Sequence, residues 1–178
     1  MNINKNLLTL SLLLAAIGSC SMAEADTQTV SLGYSNAKMD GFKNIHGVTA
    51  KYHYQPENSL GFISSLTYMD GTEKFNDYGD KGKVQLKYYS LLVGPSYRVN
   101  EFISLYGLVG AAHGKEKGSL INAKGVYVSG KIHESGFAYG AGVQIAPAAN
   151  WSIDVGYEGS TFREVKINGF NIGLGYRF

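Results

Sequence analysis

The chain has 178 residues, enough for one domain, and its 16 Lys+Arg against 14 Asp+Glu leave a formal net charge of +2. That near balance excludes the strongly basic surface of a nucleic-acid protein, and only three prolines among 44% hydrophobic residues argue against a disordered chain. No stretch approaches the about 20 consecutive apolar residues that a transmembrane helix needs.

The N-terminus carries Lys5, an apolar stretch from Leu7 to Ile17, and then small residues at Ser21-Met22-Ala23 and Ala23-Glu24-Ala25. A charged start, a short apolar centre and small residues before a cleavage point describe a secretory signal peptide. Cleavage is expected after Ala23, with Ala25 as the neighbouring alternative. Residues 1–23 are then removed, and 24–178 form one domain. Cys20 is the only cysteine and lies in this leader, so no disulfide framework is expected. Ile17-Gly18-Ser19-Cys20 also resembles a lipoprotein box, which would instead leave Cys20 lipidated.

Everything downstream alternates with period two, the mark of strands with one apolar face. In 28–37, Val30, Leu32 and Tyr34 oppose Thr29, Ser31, Gly33 and Ser35. After a polar loop (38–44), the segment 45–54 sets Val48, Ala50, Tyr52 and Tyr54 against Gly47, Thr49, Lys51 and His53. A turn at 55–59 leads to 60–69, where Phe62, Leu66 and Tyr68 oppose Gly61, Ser65 and Thr67. A longer loop (70–83) precedes 84–98, with Tyr89, Leu91, Val93, Pro95 and Tyr97 on one face. Pro95 predicts a bulge there, because it lacks a ladder donor. After the turn Val99-Asn100-Glu101, the strand 102–113 has the least distinct faces, since Leu105, Tyr106, Leu108 and Val109 alternate poorly. The longest connection is 114–134, with Val126 and Val128 as a hairpin extension. Strand 135–146 sets Phe137, Tyr139, Ala141, Val143 and Ile145 against Gly136, Gly140, Gly142 and Gln144. A turn (147–150), strand 151–161 and a loop (162–166) follow.

The closing strand, GFNIGLGYRF, puts Phe170, Ile172, Leu174, Tyr176 and Phe178 on one face and mainly small residues on the other. It is read as the C-terminal signature addressed to barrel-assembly machinery. Eight such segments joined alternately by short turns and longer loops predict an all-β fold: an eight-stranded, antiparallel, up-and-down transmembrane β-barrel. Both mature termini are then periplasmic and the long loops extracellular. Tyr54, Tyr97, Phe102, Trp151, Tyr176 and Phe178 fall near turns, while Tyr34, Tyr68, Tyr89 and Tyr157 fall near loops, as two interfacial girdles would require. The alternative is a soluble sandwich or lipocalin-like barrel, whose apolar face would point into a core.

The polar faces carry Lys51, His53, Arg98, Asp154, Glu158 and Arg177. A histidine near two carboxylates suits acid–base chemistry. The same residues also suit an ion network filling a narrow lumen, because eight strands leave room for little more than side chains and charges out of water need partners. The network is the expected reading, with Asp154 and Glu158 pairing among Lys51, Arg98 and Arg177. No nucleophile elbow or metal-ligand cluster accompanies these residues, so neither an enzyme nor a cofactor is expected. His46, His113 and His133 show no ligand spacing and read as surface histidines. The long connection carries Lys115, Lys117, Lys124 and Lys131 against Glu116, a basic patch suited to anionic polymers such as heparin-like chains, to matrix proteins, or to lipopolysaccharide phosphates.

FKNIHGVTAKYHY (42–54), SLLVGPSYRVNE (90–101), SLYGLVGAAHGK (104–115), GFAYGAGVQIAP (136–147), DVGYEGS (154–160) and INGFNIGLGYRF (167–178) together resemble the Ail/Lom family of enterobacterial outer-membrane barrels, which includes OmpX, Rck and PagC. The PagC branch is the most similar, through FKNIHGV, FISSL (62–66) and KINGFN. The resemblance implies a monomeric surface barrel linked to virulence. It implies adhesion, invasion or resistance to complement, with complement regulators as one partner class, and places these activities in the loops, where this chain departs from its relatives.

Overall fold

A computed structural model describes residues 26–39, 44–77, 80–121, 127–162 and 165–178. The leader, with Ala23, Ala25 and Cys20, lies outside them. The described residues form eight strands: β1 (Thr27–Met39), β2 (Ile45–Gln55), β3 (Leu60–Asp77), β4 (Asp80–Arg98), β5 (Ile103–Ile121), β6 (Tyr127–Ala148), β7 (Trp151–Phe162) and β8 (Val165–Arg177). Each pairs antiparallel with its neighbour, and β8 pairs with β1 from Thr29↔Arg177 to Met39↔Ile167, closing the barrel. Paired 2.9 Å bonds between the backbones of Gln28 and Phe178 finish the seam, leaving no free edge there.

The period-two face is the outer wall. Leu32, Leu66, Leu91, Val109, Val155 and Leu174 are all exposed on it, a pattern that only a lipid solvent makes favourable. Phe170, Ile172, Leu174, Tyr176 and Phe178 all stand on this wall, 43–63% exposed. Near the periplasmic end, Trp151 meets Tyr176 edge-on at 5.7 Å, and near the other end Tyr68 lies 5.0 Å from Tyr89.

Three features depart from the sequence reading. First, the stretches 70–83 and 114–134 are ladder over most of their length. The β3–β4 pairing runs to Asp77↔Asp80 and β5–β6 to Ile121↔Tyr127, with 122–126, and so Lys124 and Val126, outside the described residues. Four strands of 18–22 residues therefore project beyond neighbours of 11–13. At about 3.3 Å per residue the projection is on the order of 20 Å. Second, β5 turns Tyr106, Leu108 and Ala112 inward and Leu105 and Val109 outward, so its alternation is regular but both faces are apolar. Third, Pro95 makes no bulge. Phe62↔Pro95 stays in register, and the β4–β5 ladder skips Gly94 and Pro95 and resumes at Ser96↔Tyr106 unshifted. The missing donor is absorbed on one side only. The register shift falls instead between Ile145 and Ala148, beside Pro147.

Candidate functional site

The lumen is filled by side chains in layers. At the periplasmic mouth, Arg98 and Arg177 line a small pocket with Thr27 and Gln55. Arg98 donates to the Pro56 carbonyl (3.4 Å) and Arg177 to Thr27 Oγ1 (3.5 Å). Next, His53 bridges Gln144 Oε1 (2.5 Å) and Ser96 Oγ (2.7 Å). Lys51 then donates to Asp154, to Asn171 Oδ1 (2.7 Å) and to Tyr106 Oη (2.6 Å), while the Tyr106 hydroxyl donates to Asp154 Oδ1 (3.0 Å). One layer further out, Glu158 accepts from Thr67 Oγ1 (2.9 Å), Tyr88 Oη (2.7 Å) and Ser90 Oγ (2.5 Å).

Of the pairing expected among Lys51, Arg98 and Arg177, the Asp154–Lys51 pair forms and the arginines take neither carboxylate among the described residues. Among the described residues Asp154 is ion-paired to Lys51, Glu158 is held by hydroxyls, and the arginines stand at the mouth near solvent. The reason is register: Arg98 and Arg177 end their strands, whereas Asp154 and Glu158 lie inside β7. His53, Asp154 and Glu158 sit in different layers, each bonded to structural partners although Asp154 Oδ2 has none, and so do not form a catalytic set. Glycine makes the room for this plug. A Cβ at Gly142 would lie 2.3 Å from Tyr106 Oη, and one at Gly156 2.7 Å from it.

Beyond these layers the inner face turns apolar, through Met69, Leu86, Phe162 and Ile167. Sequence alternation could not show this, because these residues replace the small polar ones only at the extracellular end.

The outer face of the projecting sheet is basic. Lys87 stands directly opposite Lys115, and Lys117 directly opposite Lys131. Asp70, opposite Lys87, begins the first row and His133 ends it, while Gln85 continues the second. Lys83, Lys87, Lys117 and Lys131 are exposed and Lys115 is half-buried, its ammonium 5.8 Å from the centroid of the Tyr89 ring. His113 and His133 stack at 6.0 Å on the same face. The structure brings Lys115, Lys117 and Lys131 together; Lys124 lies outside the described residues. Lys83 and Lys87 join them from β4. No spacing singles these two out in the sequence, because only the β4–β5 register places them beside β5. Glu116 and Glu134 point to the inner face, so the hairpin is basic outside and acidic inside.

A family model described as an outer membrane protein beta-barrel domain matches residues 11–178. The chain belongs to the outer-membrane β-barrel protein family. Within the family it falls in the OmpX/Ail/PagC group. It is 42% identical over 174 residues to the virulence membrane protein PagC of Salmonella typhimurium, covering 89% of this chain and 90% of that protein. It is 38% identical over 181 residues to the attachment invasion locus protein of Yersinia enterocolitica, covering 98% and 99%. The crystal structure of Ail of Yersinia pestis with the heparin analogue sucrose octasulfate matches at a TM-score of 0.75 and 36% identity, covering 86% of this chain and 99% of that one. This family member is thus an outer-membrane protein whose outer wall faces lipid and whose projecting sheet stands outside the cell.

Proposed function

We propose that this outer-membrane barrel is a surface attachment protein whose basic outer wall takes sulfated, heparin-like polymers of host surfaces. One observation carries the reading: two lysine pairs stand directly opposite each other across neighbouring strands, Lys87–Lys115 and Lys117–Lys131. Like charges placed this way destabilise a sheet, and an anionic partner relieves that cost. The similarity to Ail, which has a structure with a heparin analogue, supports the same chemistry. The names of its relatives, virulence membrane protein and attachment invasion locus protein, support attachment as its use. The wall is a ladder and not a loose loop, so its charges are already spaced when a polymer arrives.

A second reading rests on Lys115, which lies over Tyr89 where the aromatic girdle ends. That height also suits lipopolysaccharide phosphates, and the same lysines would serve envelope stability. Serum resistance through complement regulators, and matrix proteins as ligands, have no observation on this wall that favours them. The chain is read as a binding protein and not an enzyme, because its buried His53, Asp154 and Glu158 are separately occupied. Residues 1–23 are read as a removed leader, which N-terminal sequencing of the mature protein tests.

The test of the main reading uses the protein in zwitterionic nanodiscs over immobilised heparin and over its desulfated form. Binding to heparin alone is expected, falling as ionic strength rises past the physiological value, where charges are screened over about 8 Å. Equal binding to both polymers, or binding indifferent to salt, overturns it. Nanodiscs that include lipopolysaccharide show whether lipid phosphates compete for the same lysines.

A further inference from the structure

Above the polar layers, the inner face of the projecting sheet and the tops of β7 and β8 line a half-open cavity of about 220 Å³ on the extracellular side. Leu86, Phe162 and Ile167 are buried at its base, and Ile132 stands on its wall 56% exposed, an aliphatic side chain open to water outside the lipid band. Glu116 and Glu134 complete the lining. Register explains the arrangement. Leu86, Glu116 and Ile132 form one inward row, and Tyr88, Gly114 and Glu134 the next. Gly114 leaves the space open. A Cβ there would meet the Phe162 ring at 3.7 Å, ordinary contact, so a longer side chain would extend into the cavity.

We propose that this cavity binds a small organic cation with an apolar stem, a primary ammonium on about six carbons. Its volume exceeds the about 150 Å³ that admits a benzene ring to an apolar protein cavity. The apolar base removes the stem from water. The Glu116 carboxylate offers an ammonium a charge-assisted hydrogen bond and repels an anion. The lysines of the same hairpin are on the opposite face of the sheet, so the cation meets Glu116 first. This site is separate from the polymer-binding wall and stands whether or not that wall binds sulfate.

The test titrates hexylammonium, 1-hexanol and hexanoate into the methyl-labelled, full-length barrel in phosphocholine nanodiscs, read by the Ile132, Val165 and Ile167 methyl resonances. The Ile172 and Leu174 methyls on the lipid wall report simple partition into the bilayer. Saturable shifts at the cavity methyls are expected with hexylammonium, about tenfold weaker binding with hexanol, the loss of one charge-assisted hydrogen bond, and none with hexanoate. Glu116→Gln should remove the preference for the amine and leave hexanol binding unchanged. Gly114→Leu should abolish saturable binding of both. Equal affinity for amine and alcohol in the unaltered protein overturns the proposal. So do cavity shifts that only follow the lipid-wall methyls, or a Gly114→Leu barrel that still binds.

Discussion

Replacing Asp154 by Ala tests the lumen plug at its centre. Lys51 and Asp154 are 6% and 2% exposed, and the carboxylate is the only anion that the Lys51 ammonium touches among the described residues. Without it, the ammonium keeps two neutral partners, Tyr106 Oη and Asn171 Oδ1. Breaking a buried pair from one side costs about 3–5 kcal/mol, because a charge is left without compensation. The low end is expected here, since those two partners remain. About 3 kcal/mol corresponds to a roughly 150-fold shift in the folding equilibrium. The double variant Lys51→Met, Asp154→Leu removes both charges, and replacing a whole buried pair by apolar residues is often neutral or stabilising by about 1–4 kcal/mol. The assay is reversible urea unfolding in lipid vesicles, followed by tryptophan fluorescence and by the heat-shifted mobility of the folded barrel. Single variants are expected to be much less stable than the double variant. A single Asp154→Ala that costs under about 1 kcal/mol, the range of an exposed pair, would refute the claim that this pair is desolvated.

Four further outcomes follow from the same layers. Val155→Arg, in mid-strand on the lipid face, should cost about 2–4 kcal/mol in the same unfolding assay. Gly156→Ala on the opposite face should also destabilise, because its Cβ would meet Tyr106 Oη at 2.7 Å and Asn171 Oδ1 at 2.9 Å. Gly142→Ala should be worse than Gly140→Ala, whose nearest contact is a carbonyl at 2.9 Å against a hydroxyl at 2.3 Å and a ring carbon at 2.4 Å; urea midpoints rank them. Phe178→Ser should leave the stability of assembled barrel nearly unchanged, since the ring is 43% exposed to lipid, yet lower the heat-modifiable fraction recovered from cells if the closing strand is an assembly signature.

The barrel is legible in the sequence because lipid and lumen impose opposite demands on alternate residues. Leu32, Leu91 and Val155 must be apolar, while Ser31, Ser90 and Asp154 must fit a narrow polar interior. That signal stops where lipid stops. In His113-Gly-Lys-Glu-Lys-Gly-Ser119 the alternation continues, but as lysine outward and glutamate or glycine inward, so a search for apolar period two reads it as a loop. Tyr106 and Leu108 blurred β5 for the opposite reason, since the plug needs large side chains at that height and takes them from this strand. The partners of Asp154 and Glu158 were not legible, because charge alone ranks Arg98, Arg177 and Lys51 alike and only register separates them. Lys87 joins the basic wall by the same route, invisible until β4 is set beside β5.

The claim that the basic wall binds a sulfated polymer is tested most directly by one fourfold variant, Lys87→Ser, Lys115→Ser, Lys117→Ser and Lys131→Ser, measured for heparin affinity in zwitterionic nanodiscs at low salt. Exposed charge contacts contribute about 0.2–1 kcal/mol each, so four should weaken binding by about 0.8–4 kcal/mol, roughly 4- to 700-fold. Removing two opposed lysine pairs should leave the urea midpoint unchanged or slightly raised. A fourfold variant that folds normally and holds heparin as tightly as the unaltered protein would contradict the account.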